Sequence, residues 1–407
     1  MATDADAASS PAALAGGGRP PSILILAGDA DSNLGDRAIL QAMVRELRQA
    51  HADATITVVS SSAARLGVDV MAISRGPRGF LQLCAAAVRS DLVLCGGGGL
   101  FQDDDSLIKM PYWCLRVLLM RLLAGRVVGY SLGVGPLRFF TSRLGARLAF
   151  VAMEAISVRD SLARDTAQSL TSKPVSIVPD PALLLPMVDQ EIARNWLSAQ
   201  GVPLQDRALI GVAVRRWFPP GNRIVPHRIR SALVPGGPRL SEESEHLAAL
   251  LAGVLDELIR RHDAYVVLMP SYGAPHEGDV AMSRHVMANM SETRVQLLEV
   301  DDPALYKGIT SLTSLFLGGR MHPTIFAAST GTPVIGLEYN PKFSGFFDML
   351  GLNGQVMDVV DFVGNERVAA LADLASAALQ QPGVPAARIE SLAERIRGYN
   401  RELLGFG

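Results

Sequence analysis

Cysteine is scarce in this chain and carries no pattern. Cys84, Cys95 and Cys114 are the three in 407 residues, and their spacing fits neither a metal-ligand set nor a disulfide framework. Cys95 lies in an apolar stretch and is expected to be a small core residue of a protein kept in a reducing cytoplasm. An excess of charge is also missing. Lys and Arg number 38 against 40 Asp and Glu, a formal net charge of -2, which argues against nucleic acid as the main partner. No uncharged apolar run is long enough to span a bilayer. The nearest, residues 113–134, is broken by Arg116, Arg121 and Arg126. At about 100° per residue those arginines do not share one helical face, so this stretch is not read as a clean membrane-surface helix. The first 21 residues lack the basic start and apolar core of a signal peptide. Rich in Ala, Gly, Pro and Ser, they are expected to form a disordered tail.

What is present is an alternation of short apolar runs and amphipathic stretches in a chain that is 49% hydrophobic and 19% charged. The runs 23–26, 56–59, 92–95, 127–132, 156–158 and 175–178 read as strands, with helical patterns between most of them. A second series runs 209–214, 264–269, 295–298, 315–317 and 334–337. Such βαβ series imply an α/β fold with largely parallel sheets. At this length two domains are the default. The expected division is residues 22–185, a linker 186–206 with a short helix, residues 207–385, and a C-terminal helix within 386–407 that packs back. Two Rossmann-like domains then face a central cleft.

Ligands in such sheets bind outside the carboxyl ends of the strands, so the residues that follow each strand carry the chemistry. The run 315–317 leads through two glycines into Arg320 and His322, and 333–337 leads into Glu338, Tyr339, Asn340 and Lys342. Arg320 at a helix start suits a phosphate or carboxylate. His322, expected one turn into that helix, can move a proton near neutral pH; its adjoining Arg favours this over a plain helix cap. Arg215 and Arg216 end the strand 209–214, and Ser271 follows 264–269. The Pro/Gly-rich stretch after them, with Arg223, His227, Arg228, Arg230 and Arg239, is expected to be a mobile lid over an anion.

In the first half, Asn33, Gly35 and Asp36 follow the first strand, with Asp36 the expected N-cap of the helix 36–50. This turn reads equally as an acceptor-binding loop and as a capped strand-to-helix turn. The run Gly96 to Gly99, including Gly97 and Gly98, exposes backbone N–H groups suited to an anion or sugar oxygen. Asp103, Asp104 and Asp105 follow as potential bases or hydroxyl acceptors, one or two of which are expected to matter.

Six motifs in order resemble the polysaccharide pyruvyl transferases: NLGDRAI (33–39), SDLVLCGGGGLFQDD (90–104), GYSLGVGPL (129–137), SVRDS (157–161), PDPAL (179–183) and GGRMHPTIFAASTGTPVIGLEYNPK (318–342). The resemblance covers roughly residues 23–342. It implies a glycosyltransferase-B-like fold, and transfer of a pyruvyl group from phosphoenolpyruvate to a sugar as a cyclic ketal. The family's Arg-aliphatic-His signature falls on Arg320, Met321 and His322, and its strand-end arginine on Arg215 or Arg216. Pro323 departs from the pattern, where a small residue is commoner.

The resemblance implies phosphoenolpyruvate as co-substrate, with no cofactor and no metal required. Arg320, Arg215 or Arg216, Ser271 and Lys342 are the donor-binding candidates. His322 is the general acid, and Asp36, Asp103 and Asp104 are the carboxylates across the cleft. Asn33, Gly35, Gly97, Gly98 and Asp103 are the acceptor-binding candidates. The acceptor is a saccharide, free or lipid-linked. With a lipid-linked one, residues 137–147, where Phe139 and Phe140 accompany Arg138, Arg143 and Arg147, offer reversible docking at the inner face of a membrane; an ordinary amphipathic helix start with the Phe pair packed on the core is the reading slightly preferred, because the overall charge is near zero. Two rivals stand beside this: a nucleotide-sugar glycosyltransferase of the same scaffold, with Glu338 on the ribose, and a non-catalytic carbohydrate-binding relative.

Overall fold

The computed structural model describes residues 19–404, apart from 62, 75, 104–105, 206, 217–240 and 275–276. Two parallel sheets organise the chain. β1 (Ser22–Leu26), β2 (Thr55–Val59), β3 (Met71–Ile73), β4 (Leu92–Phe101), β5 (Val127–Val134), β6 (Ala155–Val158) and β7 (Val175–Ile177) lie in the order 3-2-1-4-5-6-7. β8 (Leu209–Ala213), β9 (Tyr265–Leu268), β10 (Val295–Leu297), β11 (Leu315–Gly318), β12 (Val334–Glu338) and β13 (Val356–Asp358) lie in the order 10-9-8-11-12-13. Each sheet reverses its lateral direction once, between β1 and β4 in the first and between β8 and β11 in the second. Those reversals open a crevice at the carboxyl ends of the strands.

The first seven strands are joined by α1 (Leu34–Ala50), α2 (Ala63–Leu66), α3 (Pro77–Arg89), α4 (Lys109–Ala124), α5 (Phe140–Ala152) and α6 (Ser161–Gln168). α3 to α6 share one apolar layer with the sheet, built on Leu83, Trp113, Val117, Phe150 and Ala163. The opposite face, with α1, belongs to a core that runs on into the second half of the molecule. It includes Ile325 and Phe326 of the helix Met321–Ser329, and Leu392 and Ile396 of the C-terminal helix Ala386–Leu404. That last helix returns to pack against α1, where Tyr130 donates a buried 2.6 Å hydrogen bond to Asn400. The fold class expected from the sequence is the observed one.

Three local differences follow from backbone chemistry. The N-cap of α1 is Asn33, whose Oδ1 accepts from Gly35 N and Asp36 N, so Asp36 lies inside the first turn. The glycine run is not a loop, because β4 continues through it to Phe101. Gly97 and Gly98 take φ of +71° and +97° there, and the register with β5 shifts between Gly98 and Phe101. The three-residue edge strands β3 and β13 were not expected; each leaves at least one residue exposed, unlike the equally short β7 and β10.

Candidate active site

The two strand-order reversals face each other. From the first sheet, the β1–α1 turn brings Asp36 to a position between Gly28 and Gly98. Its carboxylate accepts from Asp29 N at 2.8 Å, and a Cβ added to Gly98 would stand 2.9 Å from Oδ1. From the second sheet, Gly319 N donates to Ala213 O at 2.7 Å, which holds the ends of β8 and β11 together. Arg320 then leads into the helix Met321–Ser329, with His322 its second residue rather than a turn further in.

Direct bonds join the two halves at this point. Leu34 N donates to Ser271 O at 3.0 Å and Gly273 N to Ser32 O at 2.9 Å. Tyr272 donates its hydroxyl to Asp29 at 3.2 Å. The imidazole of His322 lies directly on Gly35, its Nδ1 edge filling the space a Cβ would take.

The opposite edge of the ring meets two groups from the ends of β6 and β7. His322 Nε2 is 3.6 Å from Asp180 Oδ2, just beyond hydrogen-bond length, and Arg159 stands 3.5 Å from both Asp180 and Asp160. All but His322 are almost fully buried. Burial pushes the Asp180 carboxyl up, but His322, Arg159 and the Ala182 N–H outweigh it and hold the group below its usual value. Asp36 moves the other way. Burial raises it, and His322 and the Asp29 N–H oppose that only in part. Two carboxyls that shift in opposite directions thus interact with one imidazole, Asp180 at 3.6 Å and Asp36 through its charge. Arg159, Asp160, Asp180, Met321 and Lys342 line a small cavity beside it.

Arg320 is already engaged. Its guanidinium pairs with Asp279, which is fully buried, and with Glu277 at 2.9 Å. It also stands over the Tyr272 ring, 5.4 Å from the centroid. Burial raises the Asp279 carboxyl, against the pull of Arg320. Arg215 lies over the Tyr339 ring at 5.9 Å, and Tyr339 donates to its carbonyl at 3.1 Å. Arg216 is buried beneath Gly278. The structure therefore separates the two strand-end arginines: Arg215 is half-buried beside Arg320, and Arg216 is packed away.

The remaining candidates divide. Asn33 is spent as the α1 cap and in a short bridge to Tyr272, not turned to a ligand. Gly97 abuts Ile39 in the core. Asp103 is buried and accepts from Arg138 N at 2.8 Å and Phe139 N at 3.0 Å, so it fixes the β5–α5 turn. Ser271 contributes its backbone to the junction between the halves. Lys342 reaches toward Gly99 from the second half. Glu338 accepts from Ser344 N and Oγ at 2.9 and 2.8 Å, a helix-start role in place of a ribose contact. Asp104 and the arginine-rich stretch 223–239 lie outside the described residues. Among those described, no group of three or more His, Cys, Asp or Glu side chains is placed to hold a metal ion. Arg159, Asp160 and Asp180 were missed as site residues, although they follow strand ends as Arg320 does. Nothing local to them announces that β6 and β7 end beside His322.

The model of a family described as polysaccharide pyruvyl transferase matches residues 33–341, which contain Asp36, Arg159, Asp180, Arg215, Arg320 and His322. No curated protein sequence matches the chain. Among solved structures, UDP-GlcNAc 2-epimerase from Methanocaldococcus jannaschii is similar with TM-score 0.56 and 13% identity, over 92% of this chain and 99% of that one. A glycosyltransferase from Rickettsia africae ESF-5 has TM-score 0.51 and 9% identity, over 96% and 100%. UDP-GlcNAc 2-epimerase from Neisseria meningitidis, bound to UDP-GlcNAc, has TM-score 0.52 and 11% identity, over 92% and 98%. At such identities the likeness establishes a shared two-domain, glycosyltransferase-B-like architecture and no activity.

Proposed function

The chain belongs to the polysaccharide pyruvyl transferase family, and from that premise we propose that it transfers a pyruvyl group from phosphoenolpyruvate to a saccharide as a cyclic ketal. The observation that carries this is His322, packed on Gly35 of the first half with Nε2 3.6 Å from Asp180, where both strand-order reversals meet. Phosphoenolpyruvate presents a phosphate and a carboxylate. Arg215 is the nearer strand-end arginine for one of them, with Arg320 held rigid by Asp279 and Glu277 and Lys342 at the cavity rim. The half-buried position of Arg215 supports it over Arg216.

In the reaction, imidazolium His322 gives its proton to the methylene carbon, which becomes the methyl group. The C=C electron pair forms that new C–H bond, leaving an oxocarbenium-like carbon that still bears the phosphate oxygen. A sugar hydroxyl attacks it and Asp36 takes the hydroxyl proton. A second hydroxyl then attacks the same carbon, its proton leaves with phosphate, and the ketal closes. Proton return from Asp36 to His322 resets the site. The raised Asp36 carboxyl suits that exchange, and ionised Asp180 steadies the imidazolium.

Thermal denaturation with ligands tests the donor. Phosphoenolpyruvate is expected to raise Tm while UDP-GlcNAc leaves it unchanged. Stabilisation by the nucleotide-sugar alone would transfer the protein to the glycosyltransferase reading.

A further inference from the structure

Twelve of the seventeen large apolar side chains exposed among the described residues lie on or beside three adjacent helices, α3, α4 and α5. α4 packs between the other two on one face of the first sheet. Their inner sides supply the core. Their outer sides leave apolar side chains in solvent on all three helices, with Leu122 81% and Phe140 78% exposed and Leu81, Leu115, Tyr112 and Val151 exposed as well. A patch of this extent on a soluble domain marks an interaction surface.

The charges on these three helices are of one sign. The three helices contain seven Lys or Arg and no Asp or Glu, although the whole chain has slightly more acidic than basic residues. Arg78, Arg89, Arg121, Arg143 and Arg147 are exposed. On α5, Arg143 and Arg147 stand one turn apart between Phe140, Leu144, Leu148 and Val151, so cations and apolar groups share one face. Among the described residues no helix is long and apolar enough to cross a membrane. The arrangement suits apolar insertion at the headgroup boundary, with arginines at the level of anionic phosphates.

From this layer we infer that the α3–α4–α5 face docks peripherally on an anionic lipid bilayer. Residues 137–147, the segment weighed in the sequence as a docking site, are one edge of that surface. α4, which its arginine spacing had set aside, supplies the centre. Reading one helix at a time missed this, because the face is made by three. The first turns of all three helices follow strand carboxyl ends, so the face adjoins the edge of the sheet that carries Asp36 and Gly98. A docked molecule holds its cleft beside the membrane, where, on the transfer reading above, a lipid-linked saccharide would be presented.

Vesicle flotation with the full chain tests the docking. Phosphatidylcholine vesicles with about a third phosphatidylglycerol should carry the wild type at low salt, and should lose it at high salt or without the anionic lipid. Leu115→Ser/Leu122→Ser/Phe140→Ser, three exposed sites, should reduce the bound fraction about tenfold or more. Arg143→Glu/Arg147→Glu should do the same without touching the apolar set. No flotation of the wild type, or flotation of both variants equal to that of the wild type, overturns the inference. Light scattering that shows a dimer abolished by the triple variant gives the face to a second copy and overturns it too. These vesicles carry neither phosphoenolpyruvate nor saccharide, so failure here is distinct from failure of the transfer reaction.

Discussion

The Nδ1 edge of His322 rests on Gly35, with no room for a methyl group between them. One residue opens the helix Met321–Ser329 on the second sheet, and the other sits in the first turn of α1 on the first sheet. This contact sets the distance between the two strand-order reversals, and with it the position of the imidazole against Asp36 and Asp180.

Gly35→Ala is therefore informative. The backbone there is helical, and Ala favours a helix over Gly by about 1 kcal/mol. The overlap involves Cβ and Cγ of His322 as well as Nδ1, so rotating the ring does not relieve it and the helix must move. Activity is expected to fall by about tenfold or more with helix content unchanged, since a displacement of about 1 Å suffices. Wild-type kcat in the variant would show that the contact does not position His322.

Loss of the His322 imidazole should strike turnover more than donor affinity. For His322→Asn the expected fall in kcat is about 10²-fold or more, with phosphoenolpyruvate still stabilising the protein in a melt. Equal losses in kcat and in donor binding would assign His322 to anchoring instead of proton transfer.

Arg320→Ala should cost stability as well as function. It leaves the fully buried Asp279 without its partner, a loss of about 3–5 kcal/mol for a broken buried pair. Arg320→Ala/Asp279→Asn should regain most of that in urea denaturation while staying inactive. A single variant as stable as the wild type would remove Arg320 from its structural role.

Asp180 links the site to pH. Its folded carboxyl is held below the ordinary value of 3.8, so the native state binds this proton less readily than the unfolded chain. The stabilisation is complete above the ordinary value and is lost as pH falls through it toward the lowered one. The Tm difference between wild type and Asp180→Asn should then be largest near neutrality and shrink in acid. A difference independent of pH would mean that an ionised Asp180 contributes nothing.

Much of the architecture was legible because its signals are local. Apolar runs bounded by glycine, proline and charge reported the longer strands. The alternation of period reported βαβ units, and the groups just past strand ends marked Asp36, Arg320 and His322. Two edge strands, β3 and β13, were not legible, while β7 and β10, equally short, were legible from their apolar runs. The sequence determined which side chains arrive at the cleft edge, since strand order and chain direction place them there. Only the tertiary structure decided what each one meets. Asn33, Gly97 and Asp103 looked like ligand groups, but the backbone and core they fold against use them. Arg320 reached the site already matched to Asp279 and Glu277. Asp180 and Arg159 became partners of His322 because two strand ends of the first half close on a helix start of the second. The exposed apolar layer of α3, α4 and α5 is tertiary in the same sense, because three helices set side by side make it. Burial, pairing and surface continuity depend on residues far apart in the chain, and no local pattern encodes them.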